Sequence, residues 1–540
     1  MARNTQKGRF GASIFALLVA AVDLALVLTL RTQDDVTVVL SSWRSSLLAE
    51  SAVRLGSNSW LWPLALILAL STFCLLLADL GHRQSAFPSS APIPLALLAG
   101  ALAAIWSANP LTTILSWALY DLLVMLGQVG AGGRSRDIAR RLAFGSISLL
   151  LLWAGVLVAG NGTGSVQWSL TPPGGAKMTL WMLAGLLRLG VYPFHSPTLT
   201  GLDAPSPSIA AFLLGPALGW ALWIRLIRVS GTLLAENTWI IIPALLTLAV
   251  GGFVGWAVRS PDEGRPWIGM GIHGSLLLAI ALVSLPGASQ GPGEDTVLST
   301  LALGAAACML GGTVLFLGGG FGPRSSLRRD TWPRTIPSLL AALSLIGLPP
   351  TLGFAVASSL IKGLTRVGHW GWGIGFFIGQ LFLVAAVTRW LFPTASPPQT
   401  DEEDDRPVRQ TAHYAAVVAA ALPLVVLGLA PTLLVAGPSS VSLRSLLAGL
   451  GSTGWLLWGG SLLLGGILGW QDTYLRPRLS VWLDLLQDII RLDWAWALLS
   501  GAFAHGLTVL RAIDDVLGGK GALLWSLILL LLLILIWRGT

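Results

Sequence analysis

Apolar residues run in long blocks that recur along the whole chain, at about 11–30, 60–80, 92–108, 111–130, 142–160, 177–195, 207–228, 239–258, 267–286, 297–319, 336–361, 371–391, 413–436, 454–470 and 522–537. Each block is close to the roughly 17–25 residues that a helix needs to cross a bilayer. The pattern predicts an all-α polytopic membrane protein of about fifteen transmembrane helices. Residues 31–59 are polar, and a surface helix is expected around Val38 to Leu55. From Leu479 to Val516, apolar Leu483, Leu486 and Ile490 interleave with Asp484, Asp488 and Arg491, which reads as amphipathic helix lying on the membrane or on a neighbour. The acidic run 401–405 reads as a solvated linker.

Composition agrees: 54% of residues are hydrophobic, 11% are charged, and the mean hydropathy is +0.75. A net charge of +8 could point to nucleic acid, but the basic residues are scattered through short loops. Topology explains them better. With the N-terminus in the cytoplasm and the spans alternating, cytoplasmic segments collect basic residues such as Arg134, Arg136, Arg140, Arg141, Arg324, Arg328, Arg329 and Arg389, and outweigh the other face by more than two to one. Arg3, Lys7 and Arg9 precede a first apolar run that contains Asp23 and is followed by no small-x-small site, so an uncleaved first span is expected. The predicted location is therefore the plasma (inner) membrane, crossed many times. Cys74 and Cys308 lie in apolar runs without a CxxC or His companion, so no disulfide, metal site or other cofactor is indicated. The glycines from Gly311 to Gly322 follow no strand and read as close helix packing and a helix end, not as a phosphate loop.

Ionisable residues inside such blocks are costly in lipid and mark functional positions. Arg188 lies in a run broken by Gly190 and Pro193, and Asp121, flanked by apolar helix, is its natural counter-ion. His273 is a membrane-embedded side chain whose ordinary pKa lies near neutrality. Lys362 follows a second break, Gly347-Leu-Pro349-Pro350, near the end of a span, where a lysine can simply snorkel to the interface. The breaks lie five spans apart, an odd number, so the broken helices run in opposite directions. That is the footprint of an inverted repeat, about 92–229 and 239–391, preceded by N-terminal spans (1–91) and followed by C-terminal spans with the amphipathic segment (392–540).

Gly185-x-x-Arg188-x-x-x-x-Pro193-Phe-His195 with Pro205-Ser-Pro207-Ser208 resembles the G-x-x-x-K-x-x-x-x-P-F-H and P-T-P-x-S signature of antiporter-like membrane subunits. These are the proton-translocating subunits of respiratory complex I and the large subunits of multisubunit cation/proton antiporters. Trp117-Ala-Leu-Tyr-Asp121-Leu, Arg140-Arg-Leu-Ala-Phe144, Ile272-His-Gly274 and Leu345-Ile-Gly-Leu-Pro-Pro-Thr-Leu-Gly-Phe354 extend the resemblance over about 60–392. It implies a proton half-channel in each repeat, with Asp121, Arg188, His195, His273 and Lys362 as ion-translocation candidates. It also implies no redox centre in this chain, and as partners the lipid bilayer and the other membrane subunits of such an assembly.

The departures bear on mechanism. Ala217 and Ala357 stand where family members carry Lys, and Lys362 is five residues past Ala357, about 140° round a helix. One N-terminal span of the family has no expected counterpart, in keeping with a cytoplasmic N-terminus. Arg188 stands at a Lys position, and a guanidinium stays protonated where an ammonium can release its proton. The resemblance therefore implies an ion pair that survives better than a proton relay. A rival reading is a scaffold subunit whose channel no longer conducts.

Overall fold

A computed structural model describes residues 2–32, 36–45, 48–81, 92–160, 164, 166–195, 207–285, 294–319, 332–393, 407–435, 451–518, 526–527 and 529–531. Among these residues ten helices are long and apolar enough to span a membrane, and 92–105 and 335–345 form shorter apolar helices. The architecture is that of an all-α polytopic membrane protein. The last expected span, 522–537, lies largely outside the described residues, as does the acidic run 401–405.

Helices α1 (Ala2–Thr29) and α2 (Trp62–Gly81) flank the one sheet among the described residues. The surface helix expected at 38–55 is instead an antiparallel hairpin, β1 (Thr37–Ser45) and β2 (Leu48–Gly56). The β-branched run Thr37-Val38-Val39 suits extended backbone. Tertiary pairing completes the preference: Gly56 N donates to Trp106 O at 2.6 Å, and Ala108 N donates to Arg54 O at 2.9 Å. Strand β2 is thereby stitched to the turn at 106–108, which follows the second helix after it.

Five helices follow: α3 (Pro92–Ile105), α4 (Pro110–Gly130), α5 (Ser135–Ala159), α6 (Ala176–Leu189) and α7 (Pro207–Val229). A second block comprises α8 (Ile241–Ala257), α9 (Pro261–Ser284), α10 (Glu294–Leu317), α11 (Trp332–Leu345), α12 (Gly353–Val367) and α13 (Trp370–Leu391). Helix α3 packs on α4 and α7, and α8 packs on α9 and α13. Helices α14 (Pro407–Leu429) and α15 (Gly451–Trp470) complete the bundle.

Both breaks fall where the sequence places them. Helix α6 stops at Gly190, which takes the left-handed conformation (φ 66°, ψ 39°) that closes a helix C-terminus and favours glycine. Helix α11 stops just before Gly347, also left-handed (φ 77°), and α12 begins six residues later. The peptide bonds Tyr192–Pro193 and Pro349–Pro350 are both cis.

The chain divides into two compact units, 1–479 and 480–540. The segment expected to be amphipathic is helical, as α16 (Asp472–Ile490) and α17 (Asp493–Gly518). The two are interrupted at Leu492, whose φ is 57°.

Candidate functional site

Asp121 on α4 and Arg188 on α6 meet in a two-pronged ion pair. Arg188 Nη1 donates to Asp121 Oδ1 at 2.5 Å and Nη2 to Oδ2 at 2.7 Å, with the side chains 9% and 13% exposed. Parallel bonds of this kind suit the guanidinium fork. The Arg188 guanidinium carbon also lies 4.6 Å from the centre of the Trp117 ring, one helical turn before Asp121. Gly145 on α5 makes room for the carboxylate, since a β-carbon there would lie 2.6 Å from Asp121 Oδ2.

The pair borders a cavity of about 60 Å³, enough for a few waters. Tyr120, Arg141, Ser148, Phe212 and Pro216 are among the other residues of its wall. Tyr120 OH donates to Ala211 O at 3.3 Å, and Ser148 Oγ to Ala184 O at 3.1 Å, so the hydroxyls are held by the backbone of α7 and α6.

A second cavity, about 30 Å³, lies between α9, α10, α11, α12 and α13. Its polar lining is Ser275, Ser344, Gln380 and Cys308, and no charged side chain lines it among the described residues. Gln380 Nε2 donates to Ile346 O at 3.0 Å, and Gly353 N donates to Ser344 Oγ at 3.1 Å, which holds the two halves of the broken helix.

The positions pair off between the two blocks. Asp121 is eleven residues after Pro110, the first residue of α4, and Ile272 is eleven after Pro261, the first of α9. Arg188 precedes its left-handed glycine by two residues, as Leu345 precedes Gly347. Phe212 and Pro216 line the first cavity, and Phe376 and Gln380, with the same spacing, line the second. Where the first cavity has an ion pair, the second has Ile272 and Leu345.

The other expected residues lie elsewhere. His195 is buried, stacked on Tyr192 (5.3 Å between ring centres) and tilted against Trp267 (5.0 Å), and it does not line the ion-pair cavity. Tyr192 N donates to Thr247 Oγ1 at 3.0 Å, so the first break is docked on α8 and α9 of the second block. His273 Nδ1 accepts from Trp220 Nε1 at 3.3 Å. Its neighbour Ile272 lines the second cavity, and Trp220 lies one turn beyond Pro216 of the first. His273 thus sits at the α7–α9 contact between the cavities. Lys362, on α12, lines neither cavity, whereas Ala357 lines the second. Pro207 opens α7, and Pro205 lies outside the described residues.

Two arginines escaped the sequence reading. Arg225 is 4% exposed and donates through Nη2 to Ala104 O (3.0 Å) and Ile105 O, closing the C-terminus of α3. Arg389, counted with the loop cations, is 2% exposed and donates to Trp256 O (2.7 Å), Val258 O (2.5 Å) and Arg259 O (2.6 Å), closing the C-terminus of α8. Their helices share a pattern that could have revealed them: Phe212-x-x-Gly215, Ala221, Arg225 matches Phe376-x-x-Gly379, Ala385, Arg389 spacing for spacing. Among the described residues, no group of three or more His, Cys, Asp or Glu is placed to hold a metal ion.

No family model matches the chain, and no curated protein matches it by sequence. Solved structures do. A chain of the Mrp complex from Dietzia sp. DQ12-45-1b superposes with a TM-score of 0.73 at 17% identity, over 99% of this chain and 62% of that one. A chain of the membrane-bound sulfane sulfur reductase, an archaeal respiratory membrane complex, gives 0.68 at 14% identity, covering 98% of both. A chain of respiratory complex I from Thermus thermophilus with bound NADH gives 0.60 at 17% identity, over 82% of this chain and 95% of that one. At these identities the likeness establishes the fold, which this chain shares with chains of those three complexes. The chain spans less than two thirds of the Mrp complex chain it matches.

Proposed function

We propose that this chain is an ion-translocating membrane subunit of a complex I-like or multisubunit cation/proton antiporter assembly, and that the ion is the proton. The observation that carries the reading is the buried Asp121–Arg188 pair beside a water-sized cavity. A fold needs no such pair, because two buried charges are often no more stabilising than apolar residues of the same shape. A pair that can open and close as a charge moves nearby gives the cavity a gate, with Tyr120 and Ser148 supplying hydroxyls for a water chain. In this reading 92–229 and 239–391 are inverted repeats, each contributing a half-channel, and His273 relays between them. Residues 1–91 and 392–540 supply flanking spans and the amphipathic segment. The basic-residue bias supports an N-terminus in the cytoplasm and insertion in the plasma (inner) membrane. The partners are the neighbouring membrane subunits.

A scaffold role is the second reading, favoured by one observation: the second cavity has Ile272, Leu345 and Ala357 where a conducting half-channel would place charge. Proton flux in liposomes holding the assembled complex separates the two. Wild type should conduct, Asp121→Asn should not, and Arg188→Lys, which keeps the pair and regains a releasable proton, should conduct at least as well as wild type. No flux in wild type or in Arg188→Lys would leave the scaffold.

A further inference from the structure

Arg225 and Arg389 occupy matching positions on α7 and α13, and each closes the C-terminus of the first helix of its block, α3 or α8. A helix C-terminus offers about half a negative charge, so a buried guanidinium there is only partly neutralised. Around Arg389 a carboxylate completes the neutralisation: Asp472 Oδ2, at the first residue of α16, lies 2.9 Å from Arg389 Nε, with both side chains 3% exposed. Arg476, one turn on, donates to Ala257 O at 2.7 Å and to Arg259 O at 3.0 Å, and so ties the start of α16 to the same helix end.

Arg225 has no carboxylate partner among the described residues. Its guanidinium carbon lies 5.8 Å from the centre of the Trp168 ring. Arg225 Nη1 and Trp168 Nε1 are both buried donors without a protein acceptor, on side chains 4% and 6% exposed. Leaving a buried donor unsatisfied costs roughly 1–3 kcal/mol, and more when it is charged. Two such donors on one cation–π pair, at a position whose counterpart holds an aspartate, define an acceptor site.

We propose that Arg225 and Trp168 form a carboxylate-binding socket, the counterpart of the Arg389–Asp472 joint with its acid supplied from outside this chain. Two sources share the chemistry: an acidic side chain of a neighbouring membrane subunit, and a small free carboxylate. A guanidinium and an indole N–H both suit a carboxylate oxygen from either source. The socket is independent of whether the chain moves ions.

The test is thermal unfolding of the purified full chain in sodium formate and in sodium chloride at equal ionic strength. Formate should raise the melting temperature of wild type beyond what chloride does. Arg225→Gln should abolish the difference, and Trp168→Phe, which removes only the N–H and its ring edge, should raise the formate concentration at half effect several-fold. Asp472→Ala should gain a second formate response through Arg389, which calibrates the assay on a socket whose acid is known. In the assembled complex, loss of the Arg225-dependent response assigns the acid to a neighbouring subunit, and its persistence assigns a free carboxylate. Equal shifts in formate and chloride, or a formate shift that survives in Arg225→Gln, would overturn the proposal and leave Arg225 a helix-end cap satisfied by water.

Discussion

The cavity beside α4 is walled by a carboxylate, two guanidinium groups and a phenol, whereas the cavity beside α9 has Ile272 and Leu345 at the positions of the ion pair and only hydroxyl, thiol and amide groups around them. The surrounding plan is the same in both: a proline-started helix, a left-handed glycine at the break, and a Phe-x-x-x facing residue on the last helix, Pro216 in one case and Gln380 in the other. The spacings are shared where the chemistry is not. Charge in the first cavity is therefore a property of three side chains, Asp121, Arg188 and Arg141, and not of the fold, and the comparison can be broken by moving those side chains.

The largest effect should come from taking the ion pair out of the first cavity and leaving Arg141 in place. Asp121→Ile alone strands Arg188, and breaking one side of a buried pair typically costs about 3–5 kcal/mol. The double variant Asp121→Ile with Arg188→Leu should recover most of that loss in thermal unfolding while abolishing ion flux. A double variant no more stable than the single one would mean that the pair is holding the fold together.

A smaller effect is expected at Gly145, whose α-hydrogen faces the carboxylate. Gly145→Ala places a methyl group 2.6 Å from Asp121 Oδ2. The clash should cost about 1–3 kcal/mol and weaken the coupling between Asp121 and Arg188 in a double-mutant cycle. An unchanged coupling energy would show that the carboxylate can move aside freely.

The smallest belongs to the neutral cavity. Gln380→Leu removes the 3.0 Å bond to Ile346 O and should cost about 1 kcal/mol in the melting transition, with no change in the Asp121–Arg188 coupling. A change in that coupling would tie the two cavities together more closely than their separate walls suggest.

Much of this was legible in the sequence, because burial in lipid leaves few explanations for a charge. Arg188 and Asp121 stood out against apolar neighbours, and the two glycine–proline breaks announced themselves by residue type. The hairpin at 37–56 did not, since its strands are completed by bonds to Trp106 and Ala108 that no local pattern records. Arg225 and Arg389 were missed because they lie near span ends, where a cation ordinarily reaches water. Here each turns inward to the carbonyls of another helix. His195, an ion-translocation candidate through the Pro193-Phe-His195 motif, lies apart from the ion-pair cavity and packs against Trp267.

One contact near the hairpin bears on how the chain is assembled in time. The Asn109 side chain accepts from Thr112 N at 2.7 Å, capping α4, and donates through Nδ2 to Ala52 O at 2.8 Å, holding β2. Ala52 is synthesised 57 residues before this asparagine, so β2 cannot gain its anchor until α3 has been threaded and α4 has begun to form. An early-made segment thus waits on a later one. The strap across this end of the first block is closed from the C-terminal side, and it records that the helices behind it have arrived.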